Sequence, residues 1–220
     1  MAEEVVLLDL WVSPYAARVK IALAEKGIEY ESKEEDLSNK SSLLLEMNPV
    51  YKKVPVLIHK GKPISESRII VQYIDELWNH KSPLLPSDPY ARAHARFWAD
   101  FVDQKIQGTM YRLFEAASSE SREAAEKELI EDFKVMEGEL GKKPYFGGET
   151  FGFVDIAFIP SYRYYYGHET LGNFNLVEEL PKLAAWVKRC LQRESVSKSL
   201  HDPNKVYEFI SELRKKRGLE

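Results

Sequence analysis

A chain of 220 residues that is 44% hydrophobic and 30% charged can bury one large core or two modest ones, which excludes intrinsic disorder. Its 35 acidic and 31 basic side chains are interspersed and leave a net charge of −4, so nucleic acid is not an expected partner. The single cysteine excludes an internal disulfide and a cysteine-based zinc cluster. The chain has no apolar run of roughly 20 residues, so no membrane span is predicted. Its start has no signal-peptide pattern, and we therefore expect a cytosolic protein.

The first predicted elements are a buried strand over residues 5–11 and a helix over residues 14–26. Ser13 suits the N-cap of this helix, Pro14 suits its first position and Gly27 suits its C-cap. A hydroxyl at the start of a helix is well placed beside an anion, because backbone N–H groups and the positive end of the helix dipole point there. From these residues alone, Ser13 either only caps the helix or also contacts a substrate.

Strands and helices continue to alternate up to residue 78. The pattern predicts a second strand at 28–33 and a short helix at 41–47 that ends at Asn48-Pro49. A hairpin follows, with strands at 54–58 and 63–65 and Gly61 in its turn, and then a helix over 66–78. The element order is therefore βαβ followed by αββα.

Pro55 is unusual within this hairpin, because a proline inside a strand removes a hydrogen-bond donor from the ladder. A cis Val54-Pro55 peptide bond accounts for it and turns the Val54 backbone outward, where an extended peptide can pair with it. An ordinary edge-strand proline accounts for it equally well. Both alternatives remain open on the local sequence.

Residues 81–89 contain three prolines in a polar context and are predicted to link two domains. After them the periodicity indicates helices only. A long amphipathic helix over 90–117 is expected to bend at Gly108, and further helices are predicted at 121–140, 154–166, 176–192 and 204–217. We therefore expect a small α/β domain at 1–80 and a larger all-helical domain at 90–220.

The whole chain resembles plant glutathione transferases of the tau class. Six stretches carry the resemblance: Ser13-Pro-Tyr-Ala-Ala-Arg-Val19, Asn39-Lys-Ser41, Lys52-Lys-Val-Pro-Val-Leu-Ile58, Glu66-Ser67 with Val71-Gln-Tyr-Ile-Asp-Glu76, Phe151-Gly-Phe-Val-Asp155 and Cys190-Leu-Gln-Arg-Glu-Ser195. The resemblance implies a thioredoxin-like first domain with a mixed sheet, an all-α second domain and a homodimer. It also implies glutathione as cosubstrate without a further cofactor, and a role in detoxification and stress response.

The resemblance assigns the glutathione contacts to particular residues. It implies that the Ser13 hydroxyl hydrogen-bonds the thiolate, that Lys40 and Lys53 bind the glycine carboxylate and that Val54 pairs with the cysteinyl backbone. It implies that Glu66 and Ser67 bind the γ-glutamyl group, through its ammonium and its carboxylate. Taken singly, the lysines are equally typical of solvated surface, and Glu66-Ser67 of helix capping.

The electrophile is expected to lie between the two domains. The resemblance implies that Trp11, Pro14, Tyr15, Tyr111 and Tyr164 line its site, with Phe114, Tyr165 and Phe209 as further candidates. Arg163 beside Tyr164 suggests a preference for polar or anionic electrophiles. The expected activity is conjugation of glutathione to hydrophobic electrophiles, with peroxidase action on organic hydroperoxides as a further expectation. The alternative is a non-catalytic carrier of hydrophobic ligands or conjugates.

Other polar candidates fit structural roles. Asp155 is expected to cap the helix that follows Gly152 rather than to act in catalysis. The five histidines show no metal-ligand spacing and are expected at the surface, and Cys190 is expected to be a buried apolar residue. No metal site is predicted.

Overall fold

The computed structural model describes residues 4–81, 83–169 and 176–219, with the backbone alone at 163–169, 176 and 177. The chain forms two compact units, which divide between Leu85 and Pro86. The predicted linker, 81–89, spans this division.

The first unit is a four-stranded mixed sheet with three helices. Its elements are β1 (Val5–Asp9), α1 (Pro14–Lys26), β2 (Glu31–Glu34), α2 (Ser42–Met47), β3 (Val56–His59), β4 (Lys62–Ser65) and α3 (Ser67–Leu77). The strand order is β2-β1-β3-β4, with β2 parallel to β1 and the other two pairings antiparallel. The predicted order βαβ then αββα is confirmed, and with it the thioredoxin-like arrangement.

Strand β2 begins three residues later than the sequence predicts, because the residues before it complete the end of α1. Gly27 adopts a φ of 64° and its N–H donates to the Ala24 carbonyl, while the Ile28 N–H donates to the Leu23 carbonyl. This paired C-cap uses Ile28, whose apolar side chain had suggested a strand. The strand that follows lies at the sheet edge and is exposed along its length.

The sheet of the first unit is buried on both faces where β1 and β3 run side by side. On one face, Val6 and Leu8 of β1 and Val56 of β3 pack with Leu44 of α2. On the other face, Leu7 and Leu57 have no exposed area. Because both faces are buried, β1 is a continuous apolar run rather than an alternating one. Burial of each such side chain contributes about 1.5–3 kcal/mol.

A buried ion pair joins the last residue of α1 to α3. The Nζ of Lys26 lies 2.7 Å from Oδ1 of Asp75 on α3, and neither side chain is more than 5% exposed. Asp75 also accepts hydrogen bonds from the backbone N–H groups of Leu84, at 2.8 Å, and Leu85, at 3.0 Å. The carboxylate therefore fixes the last residues of the first unit as well as the end of α1.

The described part of the second unit is helical. Its elements are α4 (Pro89–Phe101), a π-helical stretch (Val102–Gln107), α5 (Gly108–Glu115), α6 (Ser119–Leu140), α7 (Phe153–Glu169), α8 (Leu176–Glu179), α9 (Pro181–Leu191), α10 (Glu194–Ser197) and α11 (Pro203–Lys216). Its core centres on Trp186, which stacks on Phe158 at a centroid distance of 5.0 Å. Phe146 and Tyr162 meet the same indole edge to face.

Two predicted helices are interrupted. The helix expected over 90–117 changes to π-helical turns at Val102–Gln107, directly before Gly108, whereas Gly108 itself has regular helical angles of −61° and −44°. The helix expected over 176–192 breaks at Leu180, with φ −128° and ψ 60°. The ring of Pro181 disfavours helical angles in the residue before it.

Two further findings bear on the sequence predictions. The Val54-Pro55 peptide bond is cis, which decides between the two alternatives for Pro55. None of the helices in the described ranges is long and apolar enough to cross a membrane.

Candidate functional site

Four segments of the first unit meet at one end of its sheet. Strands β1, β2 and β4 end there and β3 begins there, as their pairing requires. Continued past its last pair, the β1–β3 register places Val54 opposite Leu10, and the β3–β4 register places Pro55 opposite Glu66. The segments that leave the sheet at this end carry all the predicted glutathione-binding residues: Ser13, Lys40, Lys53, Val54, Glu66 and Ser67.

Ser13 caps α1 and keeps a hydrogen to donate. Its Oγ accepts from the backbone N–H of Ala16 at 3.2 Å, and the side chain is in a buried position at 9% exposure. A serine hydroxyl has two acceptor lone pairs and one O–H. Capping uses a lone pair, so the O–H is still able to donate to an anion beside the helix N-terminus. The two roles considered for Ser13 are therefore compatible.

Glu66 and Ser67 form the start of α3. Glu66 has φ 73° and ψ 113°, a backbone conformation that residues other than glycine rarely adopt, and such strain concentrates at binding sites. Its side chain does not cap the helix. The backbone N–H groups of the first turn are thus not capped by this residue, which contradicts the simple capping alternative and suits a carboxylate ligand.

Arg18 connects the two helices of the site, and the sequence does not single it out. Its guanidinium is 1% exposed, donates to the Oγ of Ser67 at 3.3 Å and lies 5.0 Å from the ring centroid of Tyr15. A cation buried next to Ser67 favours an anion bound there. The signal in the sequence is an arginine within an apolar stretch of α1, between Ala17 and Val19.

The loop that carries Lys53 is fastened by Asn48. The buried amide of Asn48 donates to the Lys53 carbonyl at 2.9 Å and accepts from the Tyr51 N–H at 3.2 Å. The Lys53 side chain is exposed, and Val54, next in the chain, is half-buried before the cis bond. Lys53 therefore extends an exposed ammonium from a fixed backbone.

Lys40 lies in an exposed stretch, residues 36–40, between β2 and α2. Buried groups hold both ends of this stretch. The Glu35 N–H donates to the Asp9 carbonyl at 2.8 Å, and the Glu35 carboxylate accepts from Ser41. The burial of Glu35 cannot be recognised in the sequence, because its neighbours are polar and exposed. Its partner Ser41 is recognisable only as the cap of α2.

The residues predicted to line the electrophile site are divided between the two units. In the first unit, Trp11 and Pro14 are half-buried and Tyr15 is 36% exposed. In the second, Tyr111 on α5 is 64% exposed and Phe114 lies 5.1 Å from the Arg217 guanidinium. Phe209 on α11 is half-buried. The side chains of Arg163, Tyr164 and Tyr165 lie outside the described residues, so their expected roles stay predictions.

Asp155 has the capping role predicted for it. Its Oδ2 accepts from the Gly152 N–H at 2.9 Å, and its Oδ1 accepts from the Phe146 N–H at 3.0 Å and the Trp186 Nε1 at 2.7 Å. Burial raises the pKa of this carboxyl to about 6, against the lowering effect of these three hydrogen bonds. Its partners are structural groups, and none of them is a catalytic side chain.

Cys190 is buried as predicted, whereas His59 is not at the surface. Cys190 is fully buried, and burial raises the pKa of its thiol, so it is an inert core residue. His59 contradicts the expected surface position, because it is 4% exposed and its Nδ1 lies 2.6 Å from the Tyr73 hydroxyl. Among the described residues, no group of three or more potential ligands can hold a metal ion.

Comparison with known families finds matches in both units. The family model for the glutathione S-transferase N-terminal domain matches residues 3–76, and that for the C-terminal domain matches residues 101–194. The two matches together span more than half of the chain.

Individual relatives match almost the whole length. Glutathione S-transferase U19 of Arabidopsis thaliana is 60% identical over 98% of each chain, and the probable glutathione S-transferase parC of Nicotiana tabacum is 60% identical over 99% of each. A solved structure of rice GST1 in complex with glutathione is 47% identical, with a TM-score of 0.93 over 98% of each chain. A tau-class glutathione S-transferase from mango is 41% identical, with a TM-score of 0.90 over 96% of this chain and 98% of that one.

Proposed function

Because this chain belongs to the glutathione S-transferase family, and within it to the tau class, we propose that it joins the glutathione sulfur to hydrophobic electrophiles. The observation that carries the proposal is the Ser13 hydroxyl, which caps α1 and retains an O–H to donate at the helix N-terminus. The names of the relatives favour this transferase over the carrier alternative.

We propose that Ser13 makes the thiolate available. A charge-assisted hydrogen bond contributes about 1.5–3 kcal/mol and a helix N-terminus about 0.3–2 kcal/mol. Lowering the thiol pKa by about 2 units requires about 2.7 kcal/mol, so these two contributions suffice without a buried base. The thiol proton passes to solvent, the sulfur bonds to the electrophilic carbon, and the leaving group departs with the electron pair of the broken bond and takes up a proton.

The same end of the sheet offers complementary charges for the rest of the tripeptide. Ser67 and the first turn of α3 would bind the γ-glutamyl carboxylate, with the Arg18 guanidinium behind them, and Glu66 would pair with the ammonium. The exposed ammonium groups of Lys40 and Lys53 would bind the glycine carboxylate. The Val54 backbone would pair with the cysteinyl residue.

Most of the rate advantage is assigned to positioning of the electrophile. Lowering the thiol pKa from about 8.5 to about 6.5 raises the thiolate fraction at pH 7 roughly 25-fold, but the weaker base is roughly 8-fold less nucleophilic. The net gain is about 3-fold, so the remainder must come from proximity. Trp11, Pro14 and Tyr15 adjoin Ser13 in the chain and would hold an electrophile beside the sulfur; Tyr111 and Tyr164 stay predictions.

Two measurements on the purified chain test this function. Calorimetric titration is expected to show saturable binding of glutathione, and an absorbance assay with a chlorodinitrobenzene is expected to show turnover that requires glutathione. Binding without turnover would support the carrier instead. No binding of glutathione would refute the transferase.

Replacing Lys53 by alanine is expected to raise the KM for glutathione roughly 2- to 5-fold with little change in kcat, because one exposed charge pair is lost from ground-state binding. Steady-state kinetics with glutathione as the varied substrate measures this. Lys52→Ala is the matched control, since Lys52 is the adjacent exposed lysine. Equal effects of the two substitutions would indicate a general loss of positive charge rather than a contact of Lys53.

We further propose that the chain forms a homodimer and acts in the cytosol, as the family resemblance and the sequence suggest. Exposed apolar side chains offer surface for association: Ile69 on α3 is 55% exposed, and Tyr90 and Phe97 on α4 are 79% and 60% exposed. Light scattering coupled to size-exclusion chromatography tests the assembly. A monomer mass at micromolar concentration would contradict it.

A further inference from the structure

Glu35 is a buried glutamate at the base of the loop that carries Lys40. Its side chain is 5% exposed, whereas the next five residues are all exposed. The carboxylate accepts two hydrogen bonds from one residue, from the Ser41 Oγ at 2.7 Å and from the Ser41 N–H at 3.2 Å. The carboxylate therefore closes the loop from 35 to 41 across its base.

Both ends of this loop are tied to the sheet and its covering helix. The Glu35 N–H donates to the carbonyl of Asp9, the last residue of β1. At the other end, the Ser41 Oγ also accepts from the Leu44 N–H at 3.0 Å and so caps α2. Leu44 has no exposed area and packs against the sheet. Ser41 is thus held from two sides, and the backbone of Lys40 directly precedes it.

The interior of the loop is ordered by its own side chains. Asp36 Oδ1 accepts from the Ser38 N–H at 2.9 Å and from the Ser38 Oγ at 2.6 Å, and the Asn39 N–H donates to the Asp36 carbonyl. These bonds form a turn that leads directly into Lys40. No turn of this kind requires a buried carboxylate at its base, and Ser41 can cap α2 without one.

Burying a carboxylate is unfavourable unless its oxygens are satisfied, and glutamate is among the residues least often buried. We propose that Glu35 is a positioning residue for glutathione binding. By closing the loop onto Ser41, it holds the Lys40 backbone where the Lys40 ammonium meets the glycine carboxylate of glutathione. This inference rests on the proposed function.

Preorganisation explains why such a contact matters for affinity. A lysine side chain loses rotamer freedom when it binds, and a loose loop would lose backbone freedom at the same step. A loop that is already closed leaves only the side chain to be ordered. Loss of the Glu35 contact should therefore weaken the binding of one carboxylate of glutathione and leave the chemistry at the sulfur unchanged.

The test compares glutathione with an analogue in which the glycine carboxylate is converted to an amide. Glu35→Gln replaces one acceptor oxygen by a donor that faces the Ser41 donors. It is expected to raise the KM for glutathione roughly 3- to 10-fold and to change kcat less than about 2-fold. With the amide analogue, the variant and the wild type should have the same KM. Lys40→Ala should behave in the same way, and the double variant should be no worse than Lys40→Ala alone.

Glu34→Gln is the matched control, because it makes the same charge change at the adjacent, exposed position and should leave both KM values unchanged. An equal rise in KM for glutathione and its amide would overturn the inference, since it indicates a general structural role, and so would an unchanged KM. If Glu35→Gln does not fold, Glu35→Asp keeps the charge but withdraws the carboxylate, and it must show the same selectivity between the two ligands. Failure of the wild type to bind glutathione would refute the proposed function instead.

Discussion

Replacing Ser13 by alanine is expected to shift the acidic limb of the pH profile of kcat/KM for the electrophile, measured at saturating glutathione, to a pH about 1–2 units higher. The reason is that the bound thiolate loses a hydrogen bond of about 1.5–3 kcal/mol. At pH 6.5 turnover should fall roughly 2- to 6-fold, since the loss of thiolate is partly offset by its greater nucleophilicity. At a pH above the thiol pKa of both proteins, both thiolates are fully formed and the order should reverse, because the variant's thiolate is the more basic and therefore the more nucleophilic one. Glutathione affinity should change far less, since the contacts to the two ends of the tripeptide remain.

Initial rates across the pH range, the ultraviolet absorbance of the bound thiolate and calorimetric titration measure these three effects. Ser13→Thr keeps the hydroxyl and should keep the profile. Ser118→Ala is the matched control for the lost helix cap, because the Ser118 Oγ accepts from the Ser121 N–H at 3.1 Å at the start of α6 in the other unit. Superimposable profiles of Ser13→Ala and the wild type would refute the role assigned to Ser13.

Asp155→Ala is expected to destabilise the second unit by about 3–5 kcal/mol, because it leaves three buried donors without an acceptor, at about 1–3 kcal/mol for each. These donors are the N–H groups of Phe146 and Gly152 and the indole of Trp186. Urea unfolding followed by tryptophan fluorescence measures the loss. Asp88→Ala is the control, since it removes an exposed aspartate cap from α4 and should cost about 1 kcal/mol. Equal losses would contradict the importance of burial.

The same carboxyl predicts a pH dependence of stability. Its pKa rises from 3.8 to about 6 on burial, so the folded state binds the proton more tightly than the unfolded state. This contribution is fully present below about pH 4 and is lost as the pH rises through about 6, by about 3 kcal/mol in total. Relative to Asp155→Asn, which does not titrate, the wild type should therefore lose stability between pH 4 and pH 7. A constant difference between the two proteins would contradict this assignment.

The element order of the first unit was predictable because its signals are local. The apolar run of β1, the cap at Ser13 and the glycine at the end of α1 each depend on residues close in the chain. Where competing local interactions exist, the prediction was wrong or incomplete. Ile28 completes the cap of α1 instead of starting a strand, and Pro181 breaks a helix that apolar spacing predicts as continuous.

The sequence by itself determined the family, the order of elements in the first unit and the residues proposed to touch glutathione, because caps, periodicity and short motifs depend on neighbours in the chain. Only the tertiary structure showed which polar side chains are buried and which partners they contact. Arg18 reaches Ser67 across 49 positions, Trp186 reaches Asp155 across 31, and His59 is buried beside Tyr73. A polar side chain looks the same in a sequence whether it is solvated or buried, and only the fold brings together the partners that make its burial possible.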